Sequence, residues 1–378
     1  MVNVNPGLAG VVAFDTEIAE PDRDGGALRY RGVDIRSLAG AVSFGDVWGL
    51  LADGNFDSPL PPEDAFRGDD AFRDDGRLTV RTGDARVDVQ AAAAALRMRP
   101  LIDISDAEAR LDVARASAAM LAVVAASARG DGLPPVPDSR VAEAPDVTSQ
   151  FMIRWRGEPD PRHVAAIDRY WVCAAEHGMN ASTFTARVVA STGADVGACL
   201  SAAVGAISGP LHGGAPARAL GMVAAVEQSG DARAYVKKVL DSGQRLMGFG
   251  HAIYRAEDPR ARILREAARE LGAPRYEVAL ELEKAALAEL RERKPDRVLE
   301  TNVEFWAAIV LDFAEVPVDL LAAMFTCART AGWSAHILEQ KRLAKIIRPS
   351  ADYVGPPERA AADLPGWDAA LKRYTVPR

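Results

Sequence analysis

A chain of 378 residues is long enough to bury a large core, as one big unit or two packed ones. With 49% apolar and 26% charged residues it has the balance of a folded globular protein, which excludes a disordered chain. Its formal net charge of -8 argues against a broad electrostatic grip on nucleic acid, so any anionic ligand must be met by a local basic patch.

The opening stretch MVNVNPGLAGVVAF lacks a basic n-region, and Asn, Pro and Gly break its apolar run, so no secretory signal is expected. Residues 7–35 alternate short β-branched runs with Gly and Asp turn signals, the pattern of a small hairpin. Strand signal is scarce afterwards. From SFGDVWGLLADG onward amphipathic helix predominates, with Ala and Leu enriched and Gly or Pro marking ends, so the fold class is mainly α. Residues 54–90 and 128–139 are rich in Asp, Arg, Gly and Pro with little periodicity and read as loops or linkers. No uninterrupted apolar stretch reaches the length of a bilayer span, and no repeat of fixed period is visible. Cys173, Cys199 and Cys327 are odd in number and scattered through apolar helical contexts, which predicts buried thiols in a reducing cytoplasm and no disulfide frame.

Residues 160–192, DPRHVAAIDRYWVCAAEHGMNASTFTARVVAST, read as one helix, a break near Gly178, and a second helix capped by Asn180 or Ser182. Further on, Asp258 and Pro259 make a strong helix start, because Asp caps free amides and Pro suits the first helical position. Gly272 and Pro274 stop that helix, and Ile263, Leu264, Ala267, Ala268 and Leu271 form its apolar stripe. Arg260 then stands at the exposed first turn, where guanidinium and helix dipole act together on an anion.

His251 follows two glycines in GFGH, which lets a ligand approach the backbone closely. On this segment alone His251 reads as a hydrogen-bonded structural histidine, and Arg255 and Arg260 as solvated side chains. Two further histidines share the setting: His212 before a Gly pair and a new helix, and His177 before Gly178 and a capped helix. Three of five histidines at glycine turns suggest a site. Neither short ligand spacing nor accompanying Cys or carboxylates indicates a metal.

The segments HGMNASTFTARVVAS, GPLHGGA, GFGHAIYRAEDPR, NVEFWAAIVL and CARTAGWSAHILEQ…IIRPSADYVG, in this order and spacing, resemble the citrate synthase family. The opening GLAGVV…LRYRGVDI is also similar, so the resemblance covers nearly the whole chain and weakens around residues 54–150. It implies a two-domain helical fold with a small N-terminal β-hairpin: a large domain of residues 1–211 and 316–378 and a small one of 212–315, which close over the ligands. It implies condensation of acetyl-CoA with oxaloacetate and hydrolysis to citrate and CoA, with acyl-CoA as co-substrate and no permanently bound cofactor. Neither nucleic acid nor a membrane is an expected partner.

By the same resemblance Glu304 is the base and His212 the donor to the enolate oxygen, because a thioester α-proton is removable only when the developing charge is stabilised. His251 polarises the keto oxygen of oxaloacetate, while His177, Arg260 and Arg329 bind its carboxylates. Arg255 meets CoA phosphates. Arg348 enters the site from a second subunit, so a homodimer is expected; on composition alone it reads as part of a basic helix end with Lys341, Arg342 and Lys345.

One position departs from the family pattern, which has Asp where this chain has Glu304. The added methylene moves a carboxylate by roughly 1.5 Å, and a misplacement near ~1 Å costs about 10²-fold in rate. The resemblance therefore admits three activities: citrate synthase, 2-methylcitrate synthase using propionyl-CoA, or a catalytically weak ligand-binding paralogue. A bland helical scaffold is the remaining alternative.

Overall fold

The computed structural model describes residues 6–374 except Ala9, Arg23, Gly25, 67–80, Pro210, Leu211, 213–215 and Ala252. Residues 1–346 form one compact unit, and 347–378 a second.

The N-terminal hairpin carries a third strand. β1 (Ala19–Asp22), β2 (Ala27–Tyr30) and β3 (Val33–Asp34) form an antiparallel sheet in that order, with Ala19 opposite Tyr30 and Tyr30 opposite Val33. Arg31 and Gly32 both have positive φ (49° and 83°), the two-residue turn whose twist suits a hairpin. The buried Tyr30 hydroxyl lies 3.0 Å from Val172 O and takes the Glu176 amide at 3.2 Å, fastening the sheet to the helix that precedes His177.

Helix starts follow from side-chain caps. Ser43 and Ser105 form capping boxes with Asp46 and Glu108 at the starts of α1 (Phe44–Asp53) and α3 (Asp106–Arg129). Asp84 caps α2 (Ala85–Ala95), so the loop expected over residues 54–90 is corrected at its end: a cap and the apolar pair Val89 and Ala93 outweigh the polar composition there. After α4 (Asp138–Val141) and α5 (Val147–Arg156), Asp160, Asn180 and Asp195 cap α6 (Pro161–Ala174), α7 (Ala181–Ser191) and α8 (Val196–Ile207). The remaining helices of this unit are α9 (Pro216–Ser229), α10 (Ala232–Asp241), α11 (Pro259–Glu270), α12 (Tyr276–Arg293), α13 (Val303–Phe313) and α14 (Leu321–Leu343). The second unit holds α15 (Trp367–Arg373).

α14 is buried on all faces from Ala323 to Leu338 apart from Phe325, with α1, α3, α6, α7 and α8 around it. That is the burial of a core helix, although Arg329, Ser334 and His336 are among its buried residues. α9 packs on α12 and α13, α10 on α12, and α11 on α13; α6 reaches both α11 and α13. Among the described helices α3 is long and apolar enough to cross a membrane by length and composition. The helix is not an uninterrupted apolar run, since Asp112 and Arg115 lie within it. α3 packs against α2, α5 and α14.

Asp168 on α6 joins three helices: its Oδ1 accepts the Phe44 amide of α1 at 3.0 Å and the Thr148 hydroxyl of α5 at 2.6 Å. Burial pushes its carboxyl up to about 6, against those two hydrogen bonds and helped by the charges of Asp146 and Asp46. The native chain thus keeps a proton that the unfolded chain releases near its ordinary 3.8. Stability from the protonated form is full below pH ~4 and is lost as pH rises towards ~6. Asp168→Asn, which keeps an acceptor and removes the charge, should melt at or above the parent temperature at pH 7.5, with the advantage gone at pH 4. An equal loss at both pH values in a calorimetric scan would refute this account.

Candidate active site

Residues 248–250 and 300–302 zip together. The Gly250 amide donates to Glu300 O at 2.7 Å, the Asn302 amide to Gly248 O at 2.9 Å, and Asn302 Nδ2 to Gly250 O at 2.9 Å. Gly248 has φ +84°, and a Cβ there would lie 2.7 Å from the Cβ of Phe305, so backbone conformation and close packing both demand glycine. Asn302 also caps α13, its Oδ1 accepting the Glu304 amide at 3.0 Å. The zipper therefore sets His251 beside the start of the helix that carries Glu304.

Asp258 makes the second connection. It caps α11 through the Arg260 amide (3.0 Å), grips the Arg260 guanidinium through Nε (2.9 Å) and Nη2 (2.7 Å), and accepts the Val303 amide, first in α13, at 3.0 Å. Arg260 is only 3% exposed, which corrects its reading as a solvated first-turn side chain: the carboxylate that caps the helix also draws the guanidinium inward. Burial works against the Arg260 charge, yet attraction to Asp258 holds it above its ordinary range.

The histidines are held neutral. His251 Nδ1 accepts the Ile253 amide at 2.9 Å, which leaves the ring proton on Nε2. Nε2 lies 3.4 Å from Arg260 Nη2, a contact of two donors, and 3.9 Å from Asp258 Oδ2. Burial, then the Arg260 charge, lowers the His251 pKa to about 4, with Asp258 opposing. The His177 ring stands 5.2 Å from that of His251, its Nε2 3.0 Å from the Tyr254 hydroxyl. Burial and the charges of Arg260, Arg329 and His251 press it well below the ordinary histidine range. His212 Nε2 lies 3.0 Å from Ser182 Oγ, and the Trp333 Nε1–H donates to that same oxygen at 3.2 Å. Burial, then Arg329, lowers His212 to about 4. The expected Gly pair after it, Gly213 and Gly214, lies outside the described residues.

Arg329, on α14, is 2% exposed; its guanidinium lies 4.8 Å over Phe325, whose ring is 6.0 Å from His212. Its Nε and Nη1 have no hydrogen-bond partner among the described residues. Glu304 is half-buried, and burial raises its carboxyl above the ordinary value against the pull of Arg260. Arg255 is exposed, its Nη1 3.4 Å from Tyr254 O, and Arg348 is exposed within the second unit. Among the described residues no group of His, Cys, Asp or Glu is arranged to hold a metal.

Sequence reasoning missed Tyr254, Ser182 and Trp333, and took Asp258 for a cap alone. Tyr254 had a signal, lying three residues after His251 within one turn. These groups comprise two buried guanidiniums, three neutral imidazoles and one carboxylate of raised pKa. Such a set suits a dianion with a polarisable carbonyl and a weak carbon acid.

The chain matches the family model of the citrate synthase C-terminal domain over residues 7–350. It is 64% identical, over 98% of both chains, to a Mycobacterium tuberculosis protein named "Putative citrate synthase 2". It is 36% identical to a Synechocystis citrate synthase over 92% of this chain and 90% of the other, and 32% identical to a Shewanella oneidensis 2-methylcitrate synthase over 92% and 94%. Among solved structures, the Pyrobaculum aerophilum citrate synthase superimposes with TM-score 0.77 at 27% identity, covering 94% of this chain and 93% of that one. The Thermoplasma acidophilum citrate synthase, in ternary complex with carboxymethyl coenzyme A and oxaloacetate, gives 0.77 at 25% identity over 95% and 98%. With the fold, the family model and full-length relatives in agreement, the chain belongs to the citrate synthase family, enzymes that condense an acyl-CoA with oxaloacetate.

Proposed function

We propose that the chain is a citrate synthase, condensing acetyl-CoA with oxaloacetate and hydrolysing the thioester to citrate and CoA. The observation that carries this reading is the double grip of Asp258, which ties Arg260 to the helix start bearing Glu304. Glu304 takes the acetyl methyl proton while neutral His212 donates to the thioester oxygen as it becomes an enol oxygen. The enol carbon attacks the keto carbon of oxaloacetate, whose oxygen receives the Nε2–H of His251. His177, Arg260 and Arg329 hold the oxaloacetate carboxylates, and water then cleaves the thioester. A neutral imidazole matches an enol better than an imidazolium does, and a buried carboxylate of raised pKa is the stronger base.

Ser182 has one hydroxyl proton for two acceptors, Asn180 Oδ1 at 2.8 Å and His212 Nε2 at 3.0 Å. With that proton turned to His212, the ring carries its own proton on Nδ1 and donates from there. Arg255 meets the CoA phosphates. Arg348 serves the site of a second copy in a homodimer, a reading supported by the exposed Tyr353, Val354 and Tyr374 of its unit. The division into a large domain (1–211 and 316–378) and a closing small one (212–315) is supported by the mutual packing of α9 to α13. Free, buried Cys173, Cys199 and Cys327 support a cytoplasmic place, where citrate formation belongs to the tricarboxylic acid cycle.

The second reading, 2-methylcitrate synthase, is favoured by the relative of that name and differs by one methyl group, which a pocket discriminates by only about 10–200-fold. Initial rates of CoA release with oxaloacetate and either acetyl-CoA or propionyl-CoA decide between them; binding without turnover would instead favour the ligand-binding paralogue.

His212→Ala should keep oxaloacetate binding and lower turnover by roughly 10²–10³-fold, the scale of one lost oxyanion donor. A loss below about tenfold in a folded variant rules His212 out as principal donor. Glu304→Gln should bind oxaloacetate and nearly stop proton abstraction, measured as exchange of the acetyl protons with solvent. Glu304→Asp should be slower than the parent, because the site is built around Glu; faster turnover would reveal a backbone set for the shorter acid. Mixed dimers of Arg348→Ala and Arg329→Ala chains, each inactive alone, should regain activity through one intact site. No recovery in verified mixed dimers would place both arginines in one chain's site.

A further inference from the structure

Behind His177 lies a group of ionisable side chains for which the reaction has no direct use. Glu176, His336 and Arg187 are completely buried, and Glu339 is partly buried. Arg187 Nη1 contacts His336 Nδ1 at 3.0 Å and pairs with Glu339, while its Nε donates to Gln340 Oε1 at 3.0 Å. A guanidinium only donates, so His336 Nδ1 accepts and the ring proton sits on Nε2, 3.3 Å from Glu176 Oε1. At that distance the proton faces the carboxylate without a well-aligned hydrogen bond, and both Glu176 oxygens lack a hydrogen-bond partner among the described residues.

The position of Glu176 is fixed by α14. Arg329, Gly332 and His336 stand three and four residues apart, so they share one face of that helix. A Cβ at Gly332 would collide with Glu176 Oε2 and lie 2.7 Å from Ala175 O. Glu176 thus rests on the bare middle of a stripe with His336 on one side and Arg329 on the other. Arg329 is the buried guanidinium with two unpaired nitrogens. Burial pulls it down from its ordinary pKa, and Glu176 is the leading charge that counters this, while Arg260 adds repulsion.

We propose that Glu176 is a positioning residue for the active site: the resident counter-charge of Arg329, seated on Gly332 and oriented by His336, which stabilises the buried guanidinium until an anionic substrate takes over that task. The proposal rests on the reading of Arg329 as a carboxylate binder and deepens it. An anion arriving at Arg329 competes with the attraction that Glu176 already exerts. Glu176 therefore makes the empty site more stable and the bound dianion less tightly held, which favours release of an anionic product.

The sign of this effect separates it from structural damage. Glu176→Gln should lower the melting temperature of the ligand-free chain, yet bind oxaloacetate more tightly by roughly tenfold, the scale of one charge removed from a partly screened site. Glu176→Asp, which keeps the charge, should stay near the parent affinity. Sulfate, an inorganic dianion, should raise the melting temperature of Glu176→Gln more than that of the parent at equal concentration, and this arm does not depend on the substrate. If oxaloacetate fails to bind the parent while the sulfate difference persists, the functional reading fails and the counter-charge role stands. Equal or weaker oxaloacetate binding by Glu176→Gln, with an unchanged sulfate response, overturns the proposal. If the glutamine variant folds only poorly, sulfate during refolding should recover it, and no recovery also overturns the proposal.

Discussion

A single buried carboxylate constrains much of this molecule. Asp258, 1% exposed, spends its two oxygens on the first turn of α11, both near nitrogens of Arg260 and the first amide of α13. Each bond is charge-assisted and sheltered from water, where such bonds are strongest. Breaking one member of a buried ion pair costs about 3–5 kcal/mol, because the partner is left as an uncompensated charge. The starts of the two helices are consequently locked to one another, and with them the Arg260 guanidinium and the helix that carries Glu304. Preorganisation of this kind spares the reorganisation that water would demand during reaction.

The protein is acidic overall, yet Arg260 and Arg329 are buried cations. Two buried guanidiniums, Arg260 and Arg329, hold positive charge next to three histidines, and the same fields together with burial keep those rings neutral. Positive potential and neutral imidazoles thus come from one arrangement. A fully charged imidazole there would be a third cation in a space that already burdens two.

How much of this was legible depended on range along the chain. Asp258 with Pro259 and Asn180 were readable, because a cap acts within three residues. Asp84 was missed as a cap since Arg, Gly and Asp surround it and mask the short apolar period of α2. The third strand was also missed, for Arg31 at positive φ carries no turn signature of its own. Most of the site lay beyond local reasoning. Ser182 meets His212 from 30 residues away and Tyr254 meets His177 from 77, and only the packing of helices decides such meetings. The motifs named candidate site residues only as what the resemblance implies, while the inward turn of Arg260 needed three dimensions.

The fastening of the small sheet bears on the birth of the chain. The Tyr30 hydroxyl reaches the carbonyl of Val172, 142 residues further on, and the amide of Glu176, 146 further on. During synthesis the three strands emerge first and wait for partners that arrive much later, since α6 must be made before the phenol has anything to hold. Loop closure of this length is slow, so the sheet and the turn carrying His177 are completed together. In a ribosome-bound chain stopped before α6, Leu28 and Tyr30 remain without their cover, and this early segment is where a growing chain most needs shelter from aggregation.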